Sequence, residues 1–182
     1  MYTRRGDTGE TDTASGKRVT KSSLIMEWEG TLDELISQIG VSKMNAHWDD
    51  FNEDLGKVQL DLFHLGEEIL TEGRGRRLRN DAVSWMEERI SSYLKEAGQI
   101  RLFVVPGGST EAAMLHLSRA VTRRAERRIV ELNNAERINP LVLQYLNRLS
   151  SLLFFMAILA NKRKGIEETV FPWPNPESKR EE

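Results

Sequence analysis

The sequence predicts an all-α fold, a bundle of five helices behind a polar N-terminal arm. Two observations carry that prediction. Apolar residues recur in steps of three and four along the chain, the spacing that gathers them on one face of an α-helix. The stretches that carry them are separated by helix-starting Asp, Asn, Ser or Thr and by helix-stopping glycines. The composition agrees: 182 residues, 39% hydrophobic and 30% charged, describe a soluble globular chain long enough for one continuous core.

Taken in order, residues 1–23 are rich in Gly, Thr, Ser and charge, lack an apolar period, and read as a loop arm. Thr31-Leu32-Asp33-Glu34 has the spacing of a capping box, in which the Thr and Glu side chains each satisfy a free backbone N–H. The first helix is therefore expected to open there and to carry Leu35, Ile36 and Ile39. A second starts near Asp49 or Asp50, and Phe51, Leu55, Val58, Leu62, Leu65 and Ile69 form its seam. The loop at 72–79, with two glycines, ends it. Asn80 or Asp81 caps a third helix that stops at Gly98, and 101–108 is a short extended linker. Ser109 or Thr110 opens a long fourth helix to about Asn133. Asn139-Pro140 is a cap and first-turn pair for the fifth, which ends near Gly165. That helix is apolar on all sides over 152–160 and should be buried all round. The expected organisation is one domain over 1–182: arm 1–23, bundle 24–165 and a polar, Pro-rich tail 166–182.

Composition also excludes. There is no cysteine, so disulfides, thiolate metal sites and cysteine nucleophiles are absent, in keeping with a cytoplasmic location. No signal peptide is visible, and the apolar run 152–160 is far short of the ~20 residues that a membrane helix needs. A net charge of -2 offers no general attraction to nucleic acid or to an anionic membrane. His47, His64 and His116 form no HExxH pattern, and the Glu-x-x-His pairs of di-iron bundles are missing. His116 reads as a satisfied packing residue, and no residues are assigned to a metal.

The fourth helix is the most informative stretch. At 100° per residue Met114, Leu117, Val121, Ala125 and Leu132 share one face, while Arg119, Arg123, Glu126 and Arg127 fall on a roughly opposite arc, with Arg124 and Arg128 at its edge. A solvated polar face and an anion site both fit that pattern. Guanidiniums at four-residue spacing can converge on a polyphosphate, each offering a fixed fork of donors. In the arm, Gly6 and Gly9 allow close backbone approach, and Arg4, Arg5, Lys17 and Lys21 bring positive charge. The spacing is not that of a Walker A loop, and a flexible terminus accounts for the arm equally well.

Both segments resemble the PduO-type ATP:cobalamin adenosyltransferases. The family opening Thr-Lys-x-Gly-Asp-x-Gly is matched by Thr3-Arg4-Arg5-Gly6-Asp7-Thr8-Gly9, with Lys21 further on. The GTxDEL helix start appears as Gly30-Thr31-Leu32-Asp33-Glu34-Leu35, the central signature at 103–128, and Asn-Arg-Leu-Ser at 147–150. These motifs span nearly the whole chain in order. The resemblance implies a left-handed five-helix bundle of ferritin-like up-and-down type, assembled as a homotrimer with ATP where subunits meet. It implies transfer of the 5′-deoxyadenosyl group of ATP to cob(I)alamin, with Mg²⁺, giving adenosylcobalamin and triphosphate. By the same resemblance Thr3, Arg4, Arg5, Gly6, Thr11, Asp12 and Lys21 hold the phosphates. Arg123, Arg124, Glu126, Arg127 and Asn147 line the nucleotide site, Asp33 pairs with Arg119 across the interface, and Phe103 sits against the lower corrin face. Two positions depart from the family: Arg4 replaces a lysine, and Ser151 replaces an acidic residue. Implied partners are a cob(II)alamin reductase and a B12-dependent mutase or similar acceptor. A carrier of adenosylcobalamin and a non-catalytic ATP-binding bundle are the alternative readings.

Overall fold

A computed structural model describes residues 4–98, 103–135 and 137–172. Five helices form the bundle: α1 (Leu24–Asn45), α2 (Asp49–Leu70), α3 (Ala82–Ala97), α4 (Thr110–Ala135) and α5 (Pro140–Arg163). The arm is more than a loop. It carries an antiparallel hairpin, β1 (Glu10–Asp12) and β2 (Arg18–Thr20), in which Asp12 faces Arg18 and Thr11 faces Val19.

The first helix begins about two turns before the expected Thr31. Ile25 packs against the core and Trp28 is fully buried, so burial continues the helix upstream of the capping pattern. Thr31 instead donates its hydroxyl proton back to the Glu27 carbonyl at 2.7 Å, the usual bond of a mid-helix threonine. The other boundaries fall within two residues of expectation. Asn139 accepts from the Leu141 N–H at 3.0 Å, with Pro140 in the first turn. Asp81 does not cap α3 with its side chain and pairs with Arg79 at 2.7 Å.

α1 packs against both α2 and α4, α4 against α5, and α5 against α3. Long side chains close the ring between α3 and α2: Arg89 Nε and the Tyr93 hydroxyl both donate to Asp54, each at 2.6 Å. A second buried carboxylate, Asp61, receives Arg79 at 2.9 and 3.1 Å and the Tyr145 hydroxyl at 3.3 Å. Such pairing offsets the desolvation that an isolated buried charge would suffer.

α5 supplies the centre. Leu149, Leu152, Leu153, Met156 and Leu159 are fully buried, each stabilising the fold by roughly 1.5–3 kcal/mol. The helix is long and apolar enough to cross a membrane by length and composition. Its apolar side chains are instead consumed by the core, and only Phe154 and Phe155 in the apolar run stay half-buried.

The C-terminal end of α5 fixes the loop that leads into α4. Asn161, 1% exposed, accepts from the Ser109 N–H at 2.8 Å and donates to the Gly107 carbonyl at 3.0 Å and to Glu168 at 2.9 Å. Gly108, at φ 91°, lies so close that a Cβ there would collide with the Asn161 amide. Replacing Asn161 by Ala strands these groups. Urea unfolding should show a loss of about 2 kcal/mol with an unchanged denaturant slope.

Candidate active site

α4 presents its arginines because its other faces are taken. Ala112, Leu115, Val121, Ala125, Ile129 and Leu132 are buried. Ser118 Oγ lies 2.8 Å from Ser42 Oγ and donates to the Gln38 carbonyl at 3.3 Å, so α1 sits close against this helix. Leu117, expected in the core, is 50% exposed. Its arc is that of Ala113, Ala120, Arg123, Arg127 and Val130, all on the outer surface.

Along that surface the expected residues take distinct places. Arg123 and Arg127 are exposed and have no hydrogen bond or ion pair with another described residue. Arg119, one turn before Arg123, is half-buried, and its Nε is buried without a hydrogen-bond partner among the described residues. Burial, together with the Arg123 charge, lowers its pKa. Glu126 accepts from the Asn147 amide at 3.0 Å, tying α4 to α5. Asn147 in turn accepts from Arg148 at 2.7 Å. Arg124 faces the other way and pairs with Glu34 of α1, on the flank of the stripe rather than within it.

The arm gathers its own group of charges. Lys21 lies against Gly6, where a Cβ would come within 3.0 Å of Nζ; the missing side chain is what admits the ammonium group. The backbone closes over this point, Lys21 N–H donating to Gly9 O at 2.9 Å. Asp12 holds Arg5 at 2.9 Å and Arg18 at 3.3 Å, and Arg18 also donates to the Arg5 carbonyl at 2.7 Å. Asp12 thus orients guanidiniums rather than offering itself to an anion. Arg4 stands at φ 60°, a left-handed conformation uncommon for a residue with a Cβ. Thr3 lies outside the described residues.

Asp33 and Arg119 do not pair within one chain. Asp33 is exposed and lines a groove of about 490 Å³ between α1 and α2, with Ala14 of the arm, Ile36, Leu60 and Phe63. Leu60 and Phe63 are 61% and 62% exposed there. Phe103, also exposed, stands at the head of α4 on a segment held by the chain end: Phe171 N–H donates to the Phe103 carbonyl at 2.7 Å, and Val104 bridges Val170. Residues 169–171 of the expected tail therefore serve as a strap.

The sequence reading missed Arg18, Asn161 and the isolation of His116. Ser15-Gly16 is a turn signal that would have paired Asp12 with Arg18 across a hairpin. His116 is buried and stacked edge-on against Phe154 with ring centroids 6.1 Å apart. Neither ring nitrogen has a partner among the described residues, so it is packed but not satisfied.

Fold and site together define a helical bundle with a strongly cationic outer face and an apolar presenting loop, the equipment for a polyphosphate ligand beside an apolar one. The chain belongs to the family described as Cobalamin adenosyltransferase, which matches residues 1–160. It is 41% identical to the corrinoid adenosyltransferase of Bacillus subtilis (strain 168), covering 94% of this chain and 91% of the relative. It is 40% identical to the cobalamin adenosyltransferase of Cupriavidus metallidurans over 91% and 90% of the two chains. Among solved structures, a phenylalanine-to-histidine variant of the PduO-type ATP:corrinoid adenosyltransferase from Lactobacillus reuteri, complexed with cobalamin and ATP, superposes with a TM-score of 0.89 at 32% identity, covering 94% and 96% of the chains.

His116 yields a pH prediction. Burial first, and the Arg119 charge second, lower its pKa from 6.5 to about 4. The unfolded chain therefore binds an extra proton between those values, so stability falls as the solution is acidified through this window. A His116→Phe variant should lose that part of the slope when denaturation midpoints are measured from pH 7 to pH 4.

Proposed function

We propose that this chain transfers the 5′-deoxyadenosyl group of ATP to cob(I)alamin, releasing triphosphate, at a site completed by two copies of the chain. The observation that carries this reading is the outer face of α4, where Arg119, Arg123 and Arg127 stand with Glu126 already tied to Asn147. Exposed cations without a protein partner are suited to a leaving polyphosphate.

The nucleophile in this reaction is the reduced cobalt of the substrate, which attacks C5′ of the ribose. The protein needs no Ser, Cys or His nucleophile of its own. Its work is to hold C5′ in line, where an error of about 1 Å costs ~100-fold, and to stabilise charge growing on the triphosphate. Arg123 and Arg127 do this from α4 and Lys21, Arg4 and Arg5 from the arm, with Gly6 letting the arm backbone approach the phosphates and Thr11 offering a hydroxyl donor. Glu126 and Asn147 orient the nucleoside, and Arg124 steadies α4 through Glu34. Mg²⁺ would enter as part of the Mg-ATP substrate, whose phosphates would supply most of its ligands.

Phe103 supplies an apolar surface beside the corrin. Placed where the lower axial base would sit, its ring excludes that ligand and water, which makes Co(II) easier to reduce.

Two copies suit this reading because the arm packs over the α1/α2 groove, whereas Arg123 and Arg127 stand on the outer face of α4. The arm covers the α1/α2 groove, with Ala14 in its lining, and the Lys17–Glu72 ion pair ties it to the loop after α2. The exposed Leu117 and Val130 of α4 match the exposed Leu60 and Phe63 of that groove, and Asp33 offers the carboxylate that Arg119 lacks. A head-to-tail contact whose rotation closes forms a ring, and the family resemblance makes that ring a homotrimer. A cytoplasmic location suits a cysteine-free chain. The need for Co(I) calls for a cob(II)alamin reductase, and the product suits a B12-dependent mutase or similar acceptor.

Under anaerobic conditions with Mg-ATP and chemically reduced cobalamin, the spectrum should convert to that of adenosylcobalamin. ATP bound without any spectral change would favour a non-catalytic bundle. Arg123→Ala should lower kcat/KM for ATP by about 100-fold or more, and wild-type kinetics would return α4 to a solvated face. Phe103→Ala should keep ATP affinity but lose most turnover from Co(II) with a reductase, and an unchanged rate would remove Phe103 from the site.

A further inference from the structure

The loop after α2 contains a backbone conformation that its residue type does not favour. α2 ends in a Schellman arrangement: the Gly73 N–H donates to the Glu68 carbonyl at 2.7 Å and the Glu72 N–H to the Ile69 carbonyl at 3.0 Å. In that motif the residue after the cap is left-handed and is most often glycine. Here it is Glu72, at φ 55°. The glycine stands one position later, at φ 76°, so the turn carries a Cβ where its geometry would favour none. Such a conformation persists only where the surroundings hold it, and it points to a task for the side chain.

The surroundings hold it firmly. Thr71 Oγ1 donates to the Glu67 carbonyl at 2.6 Å and accepts from the Gly75 N–H at 2.8 Å. Glu67 accepts from the Arg76 N–H and Glu68 from the Leu78 N–H, both at 3.0 Å. From this rigid platform the Glu72 carboxylate reaches Lys17 at 2.8 Å, and Arg74 donates to the Ser15 carbonyl at 3.2 Å. Lys17 and Ser15 belong to the turn of the arm hairpin. That turn is itself closed by Thr13 N–H to Lys17 O at 2.8 Å and Gly16 N–H to Thr13 O at 2.9 Å. The Lys17 bond, and after it one from Ser15, holds the Glu72 carboxyl below its usual range, so the latch is formed at neutral pH.

We propose that Glu72, with Arg74, is a positioning device for ATP: it latches the arm hairpin to the end of α2, so that the arm's phosphate-holding charges are in place before the nucleotide arrives. Glu72 touches no substrate and acts through Lys17. The left-handed φ is tolerated because a glutamate there reaches the hairpin, which glycine cannot do. Preorganisation of this kind lowers the ordering cost of binding and leaves the chemical step alone. The proposal rests on the reading that the arm holds the phosphates of ATP.

Glu72→Gly separates the latch from the fold, because it deletes the carboxylate while relaxing the backbone. The thermal midpoint should stay the same or rise. KM for ATP should rise about 2- to 5-fold, the range of an exposed ion pair, with kcat unchanged at saturating ATP. Hydrogen exchange at the Lys17 and Gly16 amides should quicken without nucleotide, and the exchange pair Lys17→Glu with Glu72→Lys should recover part of the lost affinity. Lys21→Ala is measured alongside. If Lys21→Ala raises KM but Glu72→Gly alters neither KM nor hairpin exchange, the latch is overturned and the arm reading stands. If Lys21→Ala also leaves KM unchanged, the arm reading falls and the latch with it.

Discussion

Burial of one face of α4 between α1 and α5 governs where the ligand-facing groups of the bundle stand. Small residues make the fit close: Ala112, Ser118 and Ala125 are fully buried, and the Ser118–Ser42 pair brings α1 to hydrogen-bonding distance. Once that face is committed, helix geometry leaves the arc of Leu117, Arg123, Arg127 and Val130 outside. The same packing sets the position of Phe103, since Asn161 of α5 grips the Gly107–Ser109 turn from which α4 starts. From Thr110 to Arg123 the helix rises about 20 Å, which separates an apolar station at its head from a cationic one along its length. A flat apolar ligand beside a polyphosphate one suits that division.

The arm answers to a different constraint. Its hairpin has little apolar surface, so it cannot be held by a core and relies on ion pairs and backbone bonds. Those run inward, among Arg5, Asp12 and Arg18, and outward to the loop after α2. A structure held this way responds to salt and to ligand far more readily than the bundle does. Function is divided accordingly: rigid helices carry the groups that set geometry, and an arm latched at its hairpin turn carries those that meet the phosphates.

The bundle was legible in the sequence because its helices repeat apolar residues over many turns and stop at glycines or start at Asn139-Pro140. The start of α1 was misjudged because Thr31 and Glu34 have capping spacing, while burial of Trp28 upstream decided the matter. Leu117 was grouped with Val121 and Ala125 because α4 carries apolar residues on two arcs, and a helical wheel cannot tell a core arc from one awaiting a partner. The hairpin was missed because its strands are three residues long with Val19 as their one apolar residue, too little alternation to support the turn signal at Ser15-Gly16. For the site, periodicity alone left the arginines open between a solvated face and an anion site, and it was the resemblance to a family that pointed to the anion site. The Glu72–Lys17 contact and the solitary Nε of Arg119 exist only in three dimensions. No spacing rule announces them.

The central claim is that the cations of α4 and those of the arm meet only between copies of the chain. Co-expression of two inactive variants tests it most directly, Arg123→Ala in one copy and Lys21→Ala in the other. With random assembly into a ring, roughly a quarter of the sites would combine an intact arm with an intact α4. Isolated hybrids should therefore regain a comparable share of adenosyl transfer. Hybrids that form but remain as inactive as either parent would contradict the claim and place both groups in one chain's site.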